Sequence, residues 1–309
     1  MKKVLKETVK ITVCAIFLWY LLREVRLADI VETVSSGSTS HLLIGLFFFA
    51  LISLFEILRL YRLVADDAIG FLPTIRLYFT SFFFNNLLPG TIGGDSYKVY
   101  YLKARARSIG SSIVLVLIER VPGMILLLLI GAMYYLVNLK RMTETLEGFV
   151  RGSELPIFEF MVSIGGMAVL TAVSLLAPPT ARAKVIHYIR RLLQAFLRFG
   201  VPAISEAAGW TLLAHASRLS GFYFLILGVH DVILWGDLLV VLPLVAIISS
   251  LPLSLGALGV RESAVTAGLV LFGVIPLNAL AVAILFRFST WAKSLLGAVL
   301  LLEESLRKK

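Results

Sequence analysis

Two short polar stretches interrupt an otherwise apolar sequence, and the first runs from Asn85 to Asp95 as NNLLPGTIGGD. Proline removes a helical hydrogen bond and glycine permits unusual backbone angles, so we expect a helix to break here. The next helix would begin with Asp95 or Ser96 as its N-cap. Free N–H groups at such a helix start attract anions, and Lys98 would add positive charge. The stretch is therefore a candidate anion-binding site.

The second stretch repeats this pattern, because LPLSLGALGVRE aligns without gaps on LPGTIGGDSYKV. Leu-Pro, a hydroxyl, a glycine and a cation recur in register, pairing Pro89 with Pro252, Thr91 with Ser254, Gly93 with Gly256 and Lys98 with Arg261. Corresponding breaks predict an internal repeat with a binding site where the breaks meet. The alternative is that proline and glycine merely shape two unrelated loops.

Charged residues also lie inside two long apolar runs. Glu119 and Arg120 interrupt one of them, and Arg287 and Lys293 interrupt the last. Charges at such depth are costly and usually face a cavity or a partner. Arg287 lies deepest within its apolar surroundings and is the strongest single candidate. Structural ion pairing of Glu119 with an arginine is the alternative.

From these patterns we predict a substrate-binding site with no catalytic residue and no metal. Arginine and lysine would bind a phosphate, Glu119 would pair with a cation or take up a proton, and the amides and hydroxyls would line the cavity. For the asparagines, hydrogen bonding between helices is an equal alternative. The predicted site residues are Asn85, Asn86, Thr91, Asp95, Lys98, Glu119, Arg120, Ser254, Arg261, Glu262, Arg287 and Lys293.

The composition indicates a polytopic membrane protein. Of 309 residues, 59% are hydrophobic and 16% are charged, whereas soluble domains are roughly 45–50% apolar. The net charge of +10 comes largely from loops that flank apolar runs, which indicates lipid headgroups and the positive-inside rule rather than nucleic acid. A single cysteine and the absence of phosphate-loop and H-E-x-x-H motifs give no reason to expect a cofactor or a metal.

Six apolar runs approach the ~20 residues that a transmembrane helix needs. They are Val9–Leu22, Leu42–Val64, Ser112–Val137, Ile157–Ala177, Ala207–Val229 and Leu277–Leu302. Two further runs, Ile75–Leu88 and Leu238–Leu251, end in Leu-Pro and a glycine-containing turn. We interpret these two as re-entrant helices, because broken backbone is tolerated in the bilayer only where protein or a cavity covers it.

This arrangement places every basic cluster on the cytoplasmic side, together with both termini. If both broken regions crossed completely, residues 98–107 would lie outside. The predicted fold is therefore an all-α integral membrane protein with about six transmembrane helices and two re-entrant hairpins in an inverted repeat. Residues 1–309 would form one domain with halves at about 41–137 and 205–302, and residues 181–199 an interfacial amphipathic helix.

Three motifs resemble those of one known family: NNLLPGTIGGDSYKVYYL, IERVPG and SSLPLSLGALGVRE. They are similar to the membrane region of lysylphosphatidylglycerol synthases and its stand-alone flippase-like relatives, over essentially the whole chain. The resemblance implies movement of lipids or lipid-linked sugars between leaflets. The synthases carry a further cytosolic aminoacyl-transferase domain, whereas this sequence stops at Lys309, so we do not expect synthesis of lysyl-lipid.

We therefore expect a transporter of a phosphate-containing lipid in the bacterial inner membrane. An anionic phospholipid, an aminoacylated lipid and a polyprenyl-phosphate-linked sugar would each present a phosphate to the same cations. Two other functions stay open. One is a membrane transferase that uses Asp95 and Glu119 or Glu262, and the other is an accessory subunit that presents lipid to a partner synthase or glycosyltransferase.

Overall fold

The chain is α-helical throughout the residues that the structure, a computed structural model, describes, namely 27–64, 69–87, 92–105, 108–152, 201–250 and 254–307. The all-α prediction is thereby confirmed. The helices are α1 (Leu27–Ser36), α2 (Thr39–Leu63), α3 (Phe71–Leu87), α4 (Ile92–Lys103), α5 (Ile109–Val137), α6 (Leu139–Gly152), α7 (Val201–Gly228), α8 (Leu238–Ser250), α9 (Val260–Leu271) and α10 (Pro276–Arg307), with a 3₁₀ turn at Trp235–Asp237.

Three of the predicted spans coincide with helices long and apolar enough to cross a membrane, namely α2, α5 and α10. A fourth predicted span, Ala207–Val229, coincides with the 28-residue helix α7. This helix carries His215 and Arg218 and is not one of the three membrane-crossing candidates. The runs Val9–Leu22 and Ile157–Ala177 and the amphipathic helix at 181–199 lie outside the described residues. The single domain and its two halves remain predictions.

Two pairs of consecutive helices pack against each other at the positions of the predicted breaks, and we call them hairpins; that they are re-entrant remains a prediction. The first hairpin is α3 followed by α4, and the second is α8 followed by α9. In the second, the backbone turns through left-handed angles at Gly256 (φ 56°), Ala257 (φ 55°) and Gly259 (φ 78°). Such angles suit glycine, so the glycines predicted to bend the chain do so here.

The first hairpin starts and ends at one extremity of the helix bundle, which we call the Arg62 end. There Arg62 of α2 forms an ion pair with Glu206 of α7. At the start of α3, Arg76 lies 3.4 Å from Glu303 near the end of α10. Leu102 in the last turn of α4 packs in the same core cluster as Leu63 of α2.

The second hairpin starts and ends at the opposite extremity, the Ser38 end. There the backbone N–H of Ser38 donates to the carbonyl of Gly228 over 2.8 Å. Tyr134, near the end of α5, donates to Asp237 just before α8 begins, over 3.2 Å. After α9, Val274 packs in the same core cluster as residues of the Ser38 end such as Val229.

The tips of the two hairpins touch in the interior of the bundle. A Cβ built on Gly256 would lie 3.0 Å from the Cα and from the carbonyl oxygen of Asn86, the penultimate residue of α3. The turn before α9 therefore approaches the end of α3 closely, at a distance that would be tight for any residue larger than glycine. Two hairpins that enter from opposite ends thus meet at one point.

The helix contacts among α2 to α5 have counterparts among α7 to α10. The most extensive contact joins α2 to α7, the first helices of the two predicted halves. In each half the hairpin helices pack together and the second of them packs on the following long helix, α4 on α5 and α9 on α10. Between the halves, α3 packs on α10 and α8 packs on α5.

Close approach of α3 and α10 depends on Gly297, where a Cβ would lie 2.0 Å from the carbonyl oxygen of Phe79. We predict that Gly297→Ala lowers the thermal unfolding midpoint of the purified protein, since the helices must separate at a cost of about 1–3 kcal/mol. The matched control is Gly209→Ala in α7, where no atom lies within 4 Å. It should leave the midpoint unchanged or raise it, and equal loss in both variants would contradict this account.

Candidate functional site

A buried ion pair links the first hairpin to the following long helix. The ammonium of Lys98, on α4, lies 2.7 Å from both carboxylate oxygens of Glu119, on α5. Arg59 of α2 approaches the same carboxylate at 3.4 Å and also donates to Thr211 of α7 over 3.2 Å. Lys98 and Glu119 are only 6% and 4% exposed, so each charge depends on the other for compensation.

The second hairpin carries a matching link. Arg287 of α10 forms a buried ion pair with Glu262 of α9. Its two terminal nitrogens donate to the carbonyls of Gly256 and Ala257, over 3.1 and 2.9 Å. The second oxygen of Glu262 accepts from the backbone N–H of Gly259 over 2.7 Å. Arg287 therefore fixes the hairpin turn, and ion pairing accounts for its charge.

The two ion pairs join corresponding helices, but the helix that supplies the cation and the helix that supplies the carboxylate are exchanged. In the first half the hairpin helix supplies the cation and the long helix supplies the carboxylate. In the second half the hairpin helix supplies the carboxylate and the long helix supplies the cation. Each pair joins the returning helix of a hairpin to the long helix after it, so both hairpins are held in the same way.

Around Asp95 the structure differs from the sequence prediction, because α4 begins at Ile92 and Asp95 lies inside its first turn. The predicted N-cap at Asp95 is therefore wrong. The glycines before it are helical and serve packing, since a Cβ on Gly94 would lie 2.4 Å from the carbonyl oxygen of Ser81. Asn85 of α3 caps the helix instead, accepting from the N–H of Gly94 over 2.7 Å. Asp95 pairs with Arg120 at 2.9 Å.

A polar network that the predicted site did not include lies between α2, α3 and α7. Glu56 accepts from Arg218 over 3.1 Å and from the hydroxyl of Tyr78 over 2.7 Å. Arg218 also donates to Nδ1 of His215 over 3.1 Å, so Nε2 of that ring carries the proton and donates to the carbonyl of Gly123 over 3.0 Å. Glu56 is the only acidic residue of the apolar run Leu42–Val64. This isolated charge is the sequence feature that could have indicated the network.

Two predicted cations stand apart from these pairs. Arg261 of α9 and Lys293 of α10 form no hydrogen bond and no ion pair within 4.0 Å among the described residues, although Glu262 lies close enough to Arg261, and Glu56 to Lys293, to interact electrostatically. Each instead faces an aromatic ring, with the Arg261 guanidinium 6.0 Å from the Phe286 centroid and the Lys293 ammonium 5.6 Å from the Phe82 centroid. They lie close enough to interact electrostatically with each other and with Arg218.

The remaining predicted residues lie near the tips. Ser254 is fully buried, and its hydroxyl, like that of Ser249, has no hydrogen-bond partner among the described residues. Asn86 contacts the turn at Gly256. Thr91 lies outside the described residues. Buried hydroxyls without partners are possible donors for a ligand.

A crevice lies between α5 and α7. Its walls are mostly apolar or small residues, and Arg59 reaches it from α2. The lining residues are Arg59, Ile118, Pro122, Gly123, Leu126, Ala207, Ala208 and Thr211. The crevice therefore combines an apolar wall with one cation, which suits contact with a lipid.

The chemistry available is anion binding. Within the described ranges, no group of three or more histidine, cysteine, aspartate or glutamate side chains is placed to hold a metal. The carboxylates of Asp95, Glu119 and Glu262 are each engaged by a cation. Arg261 and Lys293 are the predicted cations that form no ion pair with a described residue.

The comparison with known families agrees with the motifs. No curated protein matches the chain significantly. The model of the family described as the lysylphosphatidylglycerol synthase TM region matches residues 8–297, which is most of the chain and includes both hairpins. The chain therefore belongs to the lysylphosphatidylglycerol synthase TM region family and is a multi-pass membrane protein, connected through that family with lipid metabolism or transport.

Proposed function

We propose that the protein is a flippase that moves a phosphate-containing lipid between the leaflets of the bacterial inner membrane. The headgroup would bind where the hairpin tips meet, while the acyl or prenyl chains stay in the surrounding lipid. Lipid-linked sugars belong to the same substrate class, because they present the same phosphate. The termini would lie in the cytoplasm, as the basic clusters predict.

The observation that carries the proposal is a pair of buried cations, Arg261 and Lys293, that form no ion pair with a described residue. A cation away from water is costly unless an anion accompanies it. The carboxylates nearest to them, Glu262 and Glu56, already pair with Arg287 and Arg218, so an anionic ligand would stabilise these two cations. A lipid phosphate is the anion that a membrane supplies in quantity.

The symmetry of the packing supports a transport cycle. Inverted repeats with broken helices that meet near the midplane are a recurring transporter design. Here two hairpins from opposite ends touch through Gly256 and Asn86, and the helix contacts of one half have counterparts in the other. Rocking of one half against the other would expose the cations first to one leaflet and then to the other.

The transferase alternative is less well supported, because it needs a carboxylate that is free to act as a base. Asp95, Glu119 and Glu262 are each held in an ion pair with a cation of the protein. No observation on the described residues favours the accessory-subunit function over transport.

Loss of either of these two cations should slow transport. We predict that Arg261→Gln and Lys293→Gln each reduce the rate of phosphatidylglycerol movement in reconstituted vesicles by about tenfold or more, since each removes a charge-assisted contact worth roughly 1.5–3 kcal/mol. Fluorescent lipid with dithionite quenching of the outer leaflet measures the rate.

The matched control is Lys140→Gln on α6, an exposed lysine far from the tips, which should transport like the parent protein. Transport at the parent rate in both Arg261→Gln and Lys293→Gln would contradict the assignment of these cations to the headgroup.

The re-entrant arrangement predicts a labelling pattern. In a background with Cys14→Ser, cysteines replacing the exposed residues Phe71 and Lys103 should react with an impermeant maleimide from the same face of the membrane, because α3 and α4 start and end at the Arg62 end. A cysteine at Val232, near the Ser38 end and 73% exposed, should react only from the opposite face.

The labelling is measured in parallel on right-side-out and inside-out vesicles. If α3 and α4 together crossed the membrane, the positions at Phe71 and Lys103 would label from opposite faces, and the proposed topology would be wrong.

A further inference from the structure

We infer that the transported headgroup is anionic and carries no ammonium group, so that aminoacylated lipids such as lysylphosphatidylglycerol are rejected. This inference rests on the proposed function and specifies its substrate class. It excludes lysylphosphatidylglycerol, the lipid after which the family is named, as a substrate. The inference follows from the distribution of charge around the hairpin tips.

The charges concerned form one group, which we call the tip cluster. It contains four carboxylates, Glu56, Asp95, Glu119 and Glu262. It contains seven cations, Arg59, Lys98, Arg120, Arg218, Arg261, Arg287 and Lys293. Cations therefore outnumber carboxylates by three in this cluster. A headgroup with negative charge reduces that excess, and one with net positive charge increases it.

An ammonium on the headgroup would need either a carboxylate or an aromatic face. The carboxylates of the tip cluster are already engaged, Glu119 by Lys98 and Arg59, and Glu262 by Arg287. Glu56 is engaged by Arg218. Displacing any of these pairs would leave a buried cation without its partner, which is strongly unfavourable.

The aromatic faces nearest to Arg261 and Lys293 are occupied as well. Lys293 lies over the ring of Phe82, and Arg261 lies over the ring of Phe286. A headgroup ammonium on either ring would have to displace a cation of the protein or lie against it. Specificity commonly comes from such a repulsive element as well as from attraction.

Lysylphosphatidylglycerol combines one phosphate with two ammonium groups, so it would bring a net positive charge to the tip cluster. Phosphatidylglycerol carries the phosphate alone, and phosphatidic acid carries a phosphomonoester with a larger negative charge near neutral pH. The tip cluster therefore favours phosphatidic acid and phosphatidylglycerol over phosphatidylcholine, and phosphatidylcholine over lysylphosphatidylglycerol.

The test compares four acyl-labelled lipids in phosphatidylcholine vesicles that contain the purified protein, with protein-free vesicles as the baseline. The probes are phosphatidic acid, phosphatidylglycerol, phosphatidylcholine and lysylphosphatidylglycerol. We expect the two anionic lipids to move at least tenfold faster than lysylphosphatidylglycerol. Equal or faster movement of lysylphosphatidylglycerol would overturn the inference and leave the proposed flippase intact.

Movement of none of the four lipids above the baseline would contradict both the proposed flippase and the inference that depends on it. The two failures are thus distinguishable.

Reversing the charge of Lys293, a member of the tip cluster, provides a second test. Lys293→Glu should lower the ratio of the phosphatidylglycerol rate to the lysylphosphatidylglycerol rate at least fivefold, because it supplies a carboxylate beside Phe82. Lys140→Glu is the matched control and should leave that ratio unchanged. Lys293→Gln, a milder change, should shift the ratio in the same direction. An unchanged ratio in both Lys293 variants would overturn the inference.

Discussion

Pairing of buried charges is the constraint on which the rest of this structure depends. A charge held away from water must meet an opposite charge or lose much of its solvation energy. Lys98 with Glu119 and Arg287 with Glu262 satisfy that requirement and also fasten each hairpin to the long helix that follows it. Arg261 and Lys293 lie near Glu262 and Glu56, but those carboxylates form their ion pairs with Arg287 and Arg218.

The backbone makes this arrangement possible through close contacts at glycine. Gly94 brings α4 against α3, Gly297 brings α10 against α3, and Gly256 brings the second hairpin tip against Asn86. Small residues have this role in membrane helix packing, where the hydrophobic effect does not drive helices together. The result is a pair of hairpins whose tips meet among the charges, with the cations of both halves at one place.

Sequence reasoning predicted the helical class, because long apolar runs are a local pattern, and it singled out charges such as Glu119 and Arg287 that the structure buries. It placed a cap at Asp95 because Gly93-Gly94 reads as a turn, whereas tertiary packing makes both glycines helical. It ranked Arg287 first by depth, although Glu262 engages it. Which cation pairs with which carboxylate depends on how separate helices pack, and no local pattern contains that.

The most direct test of the account is a cryo-EM map of the protein in nanodiscs that contain phosphatidylglycerol. The account predicts headgroup phosphate density within hydrogen-bonding distance of both Arg261 and Lys293, next to the contact between Asn86 and Gly256. Headgroup density bound only at the Arg62 end or the Ser38 end, with the space between the tips filled by protein side chains, would contradict it.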